Sequence, residues 1–188
     1  TRPVTSEPVL CSLSDSGGGH VCYKPSMTQQ VIVTGASSGI GRATALRFGR
    51  AGAQVLVVGR DEAALAEVAA TIAREGGQAA VLQADVTKGS APERIVAAAL
   101  DRFGGLTTLV NAAGIIGAGS IESTTDPEWD NMMDINARAP CRLMRAAVPA
   151  LTASRGTVVN VSSVTGLRAF PGVLSYCVSK AAIDQLTR

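Results

Sequence analysis

Histidine is almost missing from this sequence: the 188 residues hold one, His20. It falls in residues 1–26, a stretch rich in Ser, Pro and Gly with no hydrophobic periodicity. A Ser-His-Asp hydrolase needs an imidazole in an ordered site, and a His-ligated zinc enzyme needs several. Both classes are set aside. Aromatic residues make up only 3% of the chain, so a core must be built from Ala, Val, Leu and Ile. The four cysteines, Cys11, Cys22, Cys141 and Cys177, show no CxxC or metal-ligand spacing. They read as free thiols in a reducing compartment, the cytoplasm, and no metal site is expected. No apolar run approaches a membrane span. The net charge is +2 with no basic run, which speaks against a nucleic-acid partner.

What is present is a large apolar fraction, 46%, in a length that suits one domain. Residues 1–26 are expected to be a disordered leader, with no apolar h-region of a secretory signal. Met27 has the look of a native start, which leaves residues 27–188 as the domain.

From there strands and helices alternate. Residues 30–34 (QVIVT) form a short β-branched apolar run, as a buried parallel strand does. Gly35-Ala36-Ser37-Ser38-Gly39-Ile40-Gly41 follows and opens a helix over residues 42–51. Glycines permit the sharp turn and let a pyrophosphate approach unpaired N–H groups at the helix N-terminus. Such a loop also makes ordinary strand–helix turns; between a strand and a helix, with another strand after it, it points to a nucleotide. That second strand, residues 54–58, ends at Gly59-Arg60. An arginine here suits the 2′-phosphate of NADP, whereas an acid would suit NAD. With the Ser37 hydroxyl nearby, Arg60 favours NADP(H) over NAD(H). Asp61 is read as the cap of a helix over residues 62–74.

A third strand over residues 79–84 ends at Asp85-Val86, where Asp85 either accepts from an adenine amino group or caps the next loop. Ser90 to Glu93 has capping-box spacing and opens a helix to about Phe103. A fourth strand, residues 106–110, leads to Asn111-Ala112-Ala113-Gly114. Asn111 serves as glue between strand ends, as a cofactor contact, or as both. Ile115 and Ile116 then stand where an apolar ceiling over a nicotinamide would be. One long helix follows, capped by Asp126, with Pro127 in its first turn and an interior Pro140 that kinks it near Asn136. A fifth strand over residues 156–162 delivers Ser162 and Ser163. The last helix, residues 174–188, carries Tyr176 and Lys180, four apart and therefore on one face. An ammonium beside a phenol stabilises the phenolate, which makes Tyr176 a candidate proton donor and acceptor. The Ser163 hydroxyl is a candidate for holding a substrate oxygen.

These residues together resemble the short-chain dehydrogenase/reductase family, in its alcohol/ketone oxidoreductase branch. The matching stretches are TGASSGIG at residues 34–41, Asp85-Val86, NAAG at residues 111–114, Asn136, Ser163 and the Tyr176–Lys180 pair, in order and from Met27 onward. The resemblance implies an α/β fold, a Rossmann-type doubly wound parallel sheet with helices on both faces. It implies cofactor contacts from Gly35, Ser37, Ser38, Gly39, Ile40, Gly41, Arg60, Asp85, Val86, Asn111, Gly114, Tyr176 and Lys180. It also implies a catalytic tetrad. Tyr176 would pass the proton and Ser163 would orient the carbonyl. Lys180 would bind the nicotinamide ribose, and Asn136 would hold a relay water. The substrate would be a small ketone or secondary alcohol, and the assembly a homo-oligomer, dimer or tetramer. Members of the family continue past this helix, so the chain is expected to be incomplete at its C-terminus, lacking the last strands. A non-catalytic nucleotide-binding or hetero-oligomerising fragment is the alternative.

Overall fold

The structure, a computed structural model, describes residues 28–188. The expectations for residues 1–26, including His20, Cys11 and Cys22, and for Met27 lie outside the described residues.

Five strands form one parallel sheet: β1 (Gln30–Thr34), β2 (Gln54–Gly59), β3 (Gln78–Gln83), β4 (Thr108–Asn111) and β5 (Thr157–Asn160). Their order is β3-β2-β1-β4-β5, with every pairing parallel. The chain thus builds outward from β1 in one direction and then returns to build in the other. The crevice beyond the carboxyl ends of β1 and β4 is where a doubly wound sheet receives its ligand.

The strand sequences are nearly all apolar because both faces of the sheet are covered. Neighbouring residues of a strand point to opposite faces. Ile32, Leu56 and Leu109 enter one core, with Ile95 and Ala99 of α3 (Ala91–Phe103) and Leu143 and Ala147 of α5 (Ala139–Ser154). Val31, Val33, Val55, Val57 and Val110 enter the other. There they meet Ala45 and Leu46 of α1 (Gly39–Arg50) and Leu65, Val68 and Ile72 of α2 (Glu62–Arg74). The Rossmann-type sheet flanked on both faces is therefore present. Its outer strand on one side is β5, where Val159 is 45% exposed.

Four local expectations are corrected. Ser90 lies in helical backbone and makes no side-chain cap, although Pro92 does sit in the first turn of α3. The capping box belongs to Thr125 and Glu128, and Asp126 is the first residue of α4 (Asp126–Met133), not its cap. The single long helix carries a π-helical turn over Asp134–Arg138 before α5 begins, and Pro140 stands directly after that turn, in the first turn of α5. Ile116 is 68% exposed and does not line the crevice, whereas Ile115 does. Asp61 caps α2 as expected, accepting from the Ala64 N–H at 3.0 Å.

Candidate active site

A groove of about 450 Å³ opens at the carboxyl ends of the strands. Its walls include Gly35, Ser37, Ser38, Gly39, Ile40 and Gly41 from the first turn, and Arg60 beyond β2. Asp85 and Val86 follow β3, Gly114 and Ile115 follow β4, and Ile135 comes from the π-helical turn.

The glycine turn has separate physical reasons at each glycine. Gly35 has φ +65°, and a Cβ there would lie 2.8 Å from Ala113 N and Cα. A Cβ on Gly41 would press into the Gly35 carbonyl. Gly39 has φ +52° but open space around its missing side chain, on the groove side. Ser38 precedes α1 with extended backbone and makes no side-chain cap, and no acid stands in the first turn. The N-terminal N–H groups of α1 are thus left to a ligand, and the dipole there favours an anion. These features fit the pyrophosphate of a dinucleotide.

Thr34, at the end of β1, laces this turn to the segment after β4. Its Oγ1 accepts from the N–H groups of Ala112 at 3.1 Å and Ala113 at 3.2 Å, and it is 2% exposed. Asn111 resolves toward glue: it is buried, and its Nδ2 donates to Asn160 Oδ1 of β5 at 2.8 Å. Asp85 caps its own turn, accepting from the Thr87 N–H at 3.0 Å and hydroxyl at 2.8 Å. These bonds, the backbone one first, hold its carboxyl below the ordinary aspartate value. It still lines the groove, as does the exposed Arg60, whose own carbonyl accepts from Gln83 Nε2 at 2.9 Å.

Asn111, Asn136, Ser163, Tyr176 and Lys180 are not among the residues that line this groove; the last two stand on α6 (Leu174–Thr187). Tyr176 and Lys180 lie together on it, with Lys180 Nζ 5.7 Å from the centre of the phenol ring. Lys180 is 6% exposed, and its Nζ donates to Val161 O, just past β5, at 2.7 Å. Burial pushes the ammonium below its ordinary value, and the Asp184 charge pulls it back up. A methyl placed on Gly114 would lie 3.7 Å from Lys180 Nζ and 3.3 Å from Asn136 Oδ1. Gly114 lines the groove, so the lysine stands behind that part of the wall. Ser163 opens a 3₁₀ turn, Val164–Gly166, and its Oγ accepts from the Thr165 N–H at 3.2 Å. Its hydroxyl proton remains available.

Asn136 is 2% exposed and spends its side chain on its neighbours. Oδ1 accepts from the Ile115 N–H at 2.9 Å, and Nδ2 donates to Ile115 O at 2.9 Å and to Ser179 Oγ at 3.0 Å. Sequence spacing did not single out Ser179 or Thr34 as site residues. The signal available was polarity alone, a Ser and a Thr at positions that the helix and strand patterns bury.

A family model described as short chain dehydrogenase matches residues 29–188. A 3beta-hydroxysteroid dehydrogenase of Mediterraneibacter gnavus is 39% identical over 159 residues, 84% of this chain and 58% of that protein. An alcohol dehydrogenase of Thermococcus sibiricus, solved with 5-hydroxy-NADP, superposes with TM-score 0.82 at 25% identity, covering 85% of this chain and 68% of that one. A short-chain dehydrogenase/reductase of Burkholderia phymatum, solved with NAD, gives 0.81 at 28%, covering 85% and 57%. The chain therefore spans about three fifths of the length of such relatives. This match, with the sheet order and the glycine turn, establishes that the chain belongs to the short-chain dehydrogenase family.

Proposed function

We propose that the protein containing this chain is an NADP(H)-dependent oxidoreductase that interconverts a ketone and a secondary alcohol. The observation that carries the proposal is the placement of Lys180 Nζ. It stands beside the Tyr176 ring and behind Gly114, which lines the groove that begins at the glycine turn. In this reading the anion seat at the glycine turn and the phenol–ammonium pair behind Gly114 serve one site.

In this mechanism the bound nicotinamide supplies or takes the hydride. The N-terminus of α1 holds the pyrophosphate. Arg60 pairs with the 2′-phosphate and so selects NADP over NAD, with Ser37 beside it; a Cβ on Gly59 would lie 3.6 Å from Ser37 Oγ. Asp85 and Val86 bound the adenine end. Ser163 donates its hydroxyl to the substrate carbonyl oxygen, and Tyr176 gives that oxygen its proton in reduction or removes it in oxidation. Lys180 exchanges Val161 O for a ribose hydroxyl. Asn136 keeps Ile115 in place and, in the same reading, holds the water that resupplies the proton. Asn111 acts through the strand ends. The proposal includes a cytoplasmic homo-oligomer, dimer or tetramer. The free thiols of Cys141 and Cys177 support the reducing compartment.

The test is reduced-nicotinamide absorbance with a ketone panel, alongside calorimetry with NADPH and NADH. Turnover that Tyr176→Phe abolishes, with NADPH bound more tightly than NADH, is the expected result. NADPH binding without turnover, together with hetero-oligomer formation, would favour a non-catalytic nucleotide-binding partner. Binding of neither nucleotide would end the proposal.

A further inference from the structure

Ser179 lies between the proposed catalytic tyrosine and lysine in the sequence; it is 0% exposed and is not among the residues lining the groove. Its bonds run in one direction. Its hydroxyl donates to the Tyr176 carbonyl at 2.8 Å, one turn back in α6. The proton being spent there, Oγ is left to accept, and Asn136 Nδ2 donates to it at 3.0 Å across 43 residues of sequence. The Asn136 amide is oriented without ambiguity. Its oxygen faces an N–H that can only donate, at Ile115, while its nitrogen faces the Ile115 carbonyl. Its two N–H groups serve Ile115 O and Ser179 Oγ, with Met132 Sδ a weaker third acceptor at 3.1 Å. A directed chain of hydrogen bonds thus joins groove-lining Ile115, through Asn136 and Ser179, to the backbone of Tyr176.

The π-helical turn makes this reach possible. It widens the helix at Asp134–Arg138, where Ile135 lines the groove while the adjacent Asn136 is turned inward, against α6. We propose that Ser179 is a positioning residue that, through Asn136, fastens the Ile115 wall of the groove to the helix carrying Tyr176 and Lys180. The cofactor wall and the proton donor then hold one fixed spacing. The functional meaning of that spacing rests on the dinucleotide reading above; the coupling itself does not.

The test is amide hydrogen exchange in the 188-residue chain, read at Ile115. Ser179→Ala is expected to speed Ile115 exchange about tenfold, the size of one lost buried hydrogen bond, with the amides of β1 unchanged. Asn136→Ala speeds it as well, and the double variant adds no more than Asn136→Ala alone, because the two act in series. Ser154→Ala is the control. It removes a half-buried hydroxyl that bonds Leu106 O at 2.6 Å and Leu151 O at 3.1 Å, away from the groove, and leaves Ile115 unchanged. Should Ser179→Ala fail to fold, Ser179→Cys, close in size and a poor acceptor, carries the same expectation. Unchanged Ile115 exchange, or a rise shared by every amide, would overturn the proposal. Fluorescence titration with NADPH and NADH on the same samples separates the two ideas. If neither binds wild type while Ile115 still responds to Ser179→Ala, the dinucleotide reading falls and the coupling stands.

Discussion

Replacing Gly41 by Ala is the sharpest perturbation of the nucleotide end. A Cβ there would collide with the Gly35 carbonyl oxygen, lie 2.7 Å from the Gly35 carbonyl carbon and 3.0 Å from Thr34 O. All three are backbone atoms of the turn and of the strand end before it, so no side chain can swing aside. Overpacking costs about 1–3 kcal/mol, and a rigid obstacle belongs at the upper end. Gly39→Ala is the natural comparison. Its Cβ would meet nothing within 4 Å, so the cost is that of left-handed backbone at φ +52°, about 1–2 kcal/mol. At roughly 2–4 °C per kcal/mol for a domain of this size, Gly41→Ala should lower Tm by about 6–12 °C and Gly39→Ala by about 2–8 °C. Dinucleotide affinity should not follow that order. Gly39 lines the groove, so a methyl there should cost more NADPH affinity than its small Tm change suggests. Scanning calorimetry gives the first quantity and titration calorimetry the second. A Gly41→Ala protein that melts within about 2 °C of wild type would show that the turn yields, and the steric account of the glycine spacing would fail.

Thr34→Val keeps shape but leaves the Ala112 and Ala113 N–H groups without an acceptor; urea unfolding should show a loss of about 2 kcal/mol. Arg60→Ala should raise the Kd for NADPH about tenfold and leave that for NADH within about twofold, since only the former carries the extra phosphate. Lys180 makes stability depend on pH at the alkaline end. Its folded pKa is lowered, so between that value and the unfolded value of about 10.4 the unfolded chain binds more protons. The burial penalty is therefore constant at lower pH and is relieved as pH rises through that window. Wild type should gain stability relative to Lys180→Met between neutral pH and about pH 11, measured by urea midpoints; a difference that stays flat would contradict a buried, charged Lys180. Asp85 has the opposite sense. Its bonds to Thr87 stabilise the fold above the unfolded carboxyl value of about 3.9 and are lost as pH falls through the lower folded value, so Asp85→Ala should show the shallower acid limb.

The amino-acid sequence by itself determined the strand–helix alternation and the positions of the chemistry. Apolar runs such as Val31 to Val33 and Val55 to Val58 can be buried only on both faces, and that demands helices above and below a parallel sheet. Asp61 as a cap and the shared face of Tyr176 and Lys180 follow from spacing alone, because both act within one helical turn. What lies beyond a turn was decided by packing. A capping-box pattern occurs at Ser90 and at Thr125, and only the second forms. Asn111 lies beside a candidate cofactor seat in sequence, yet Asn160, 49 residues away, claims its side chain. Asn136 could be placed at a kink from Pro140, but not against Ile115 and Ser179. That arrangement goes with the π-helical turn, and Asn136 within it finds its partners on segments distant in sequence.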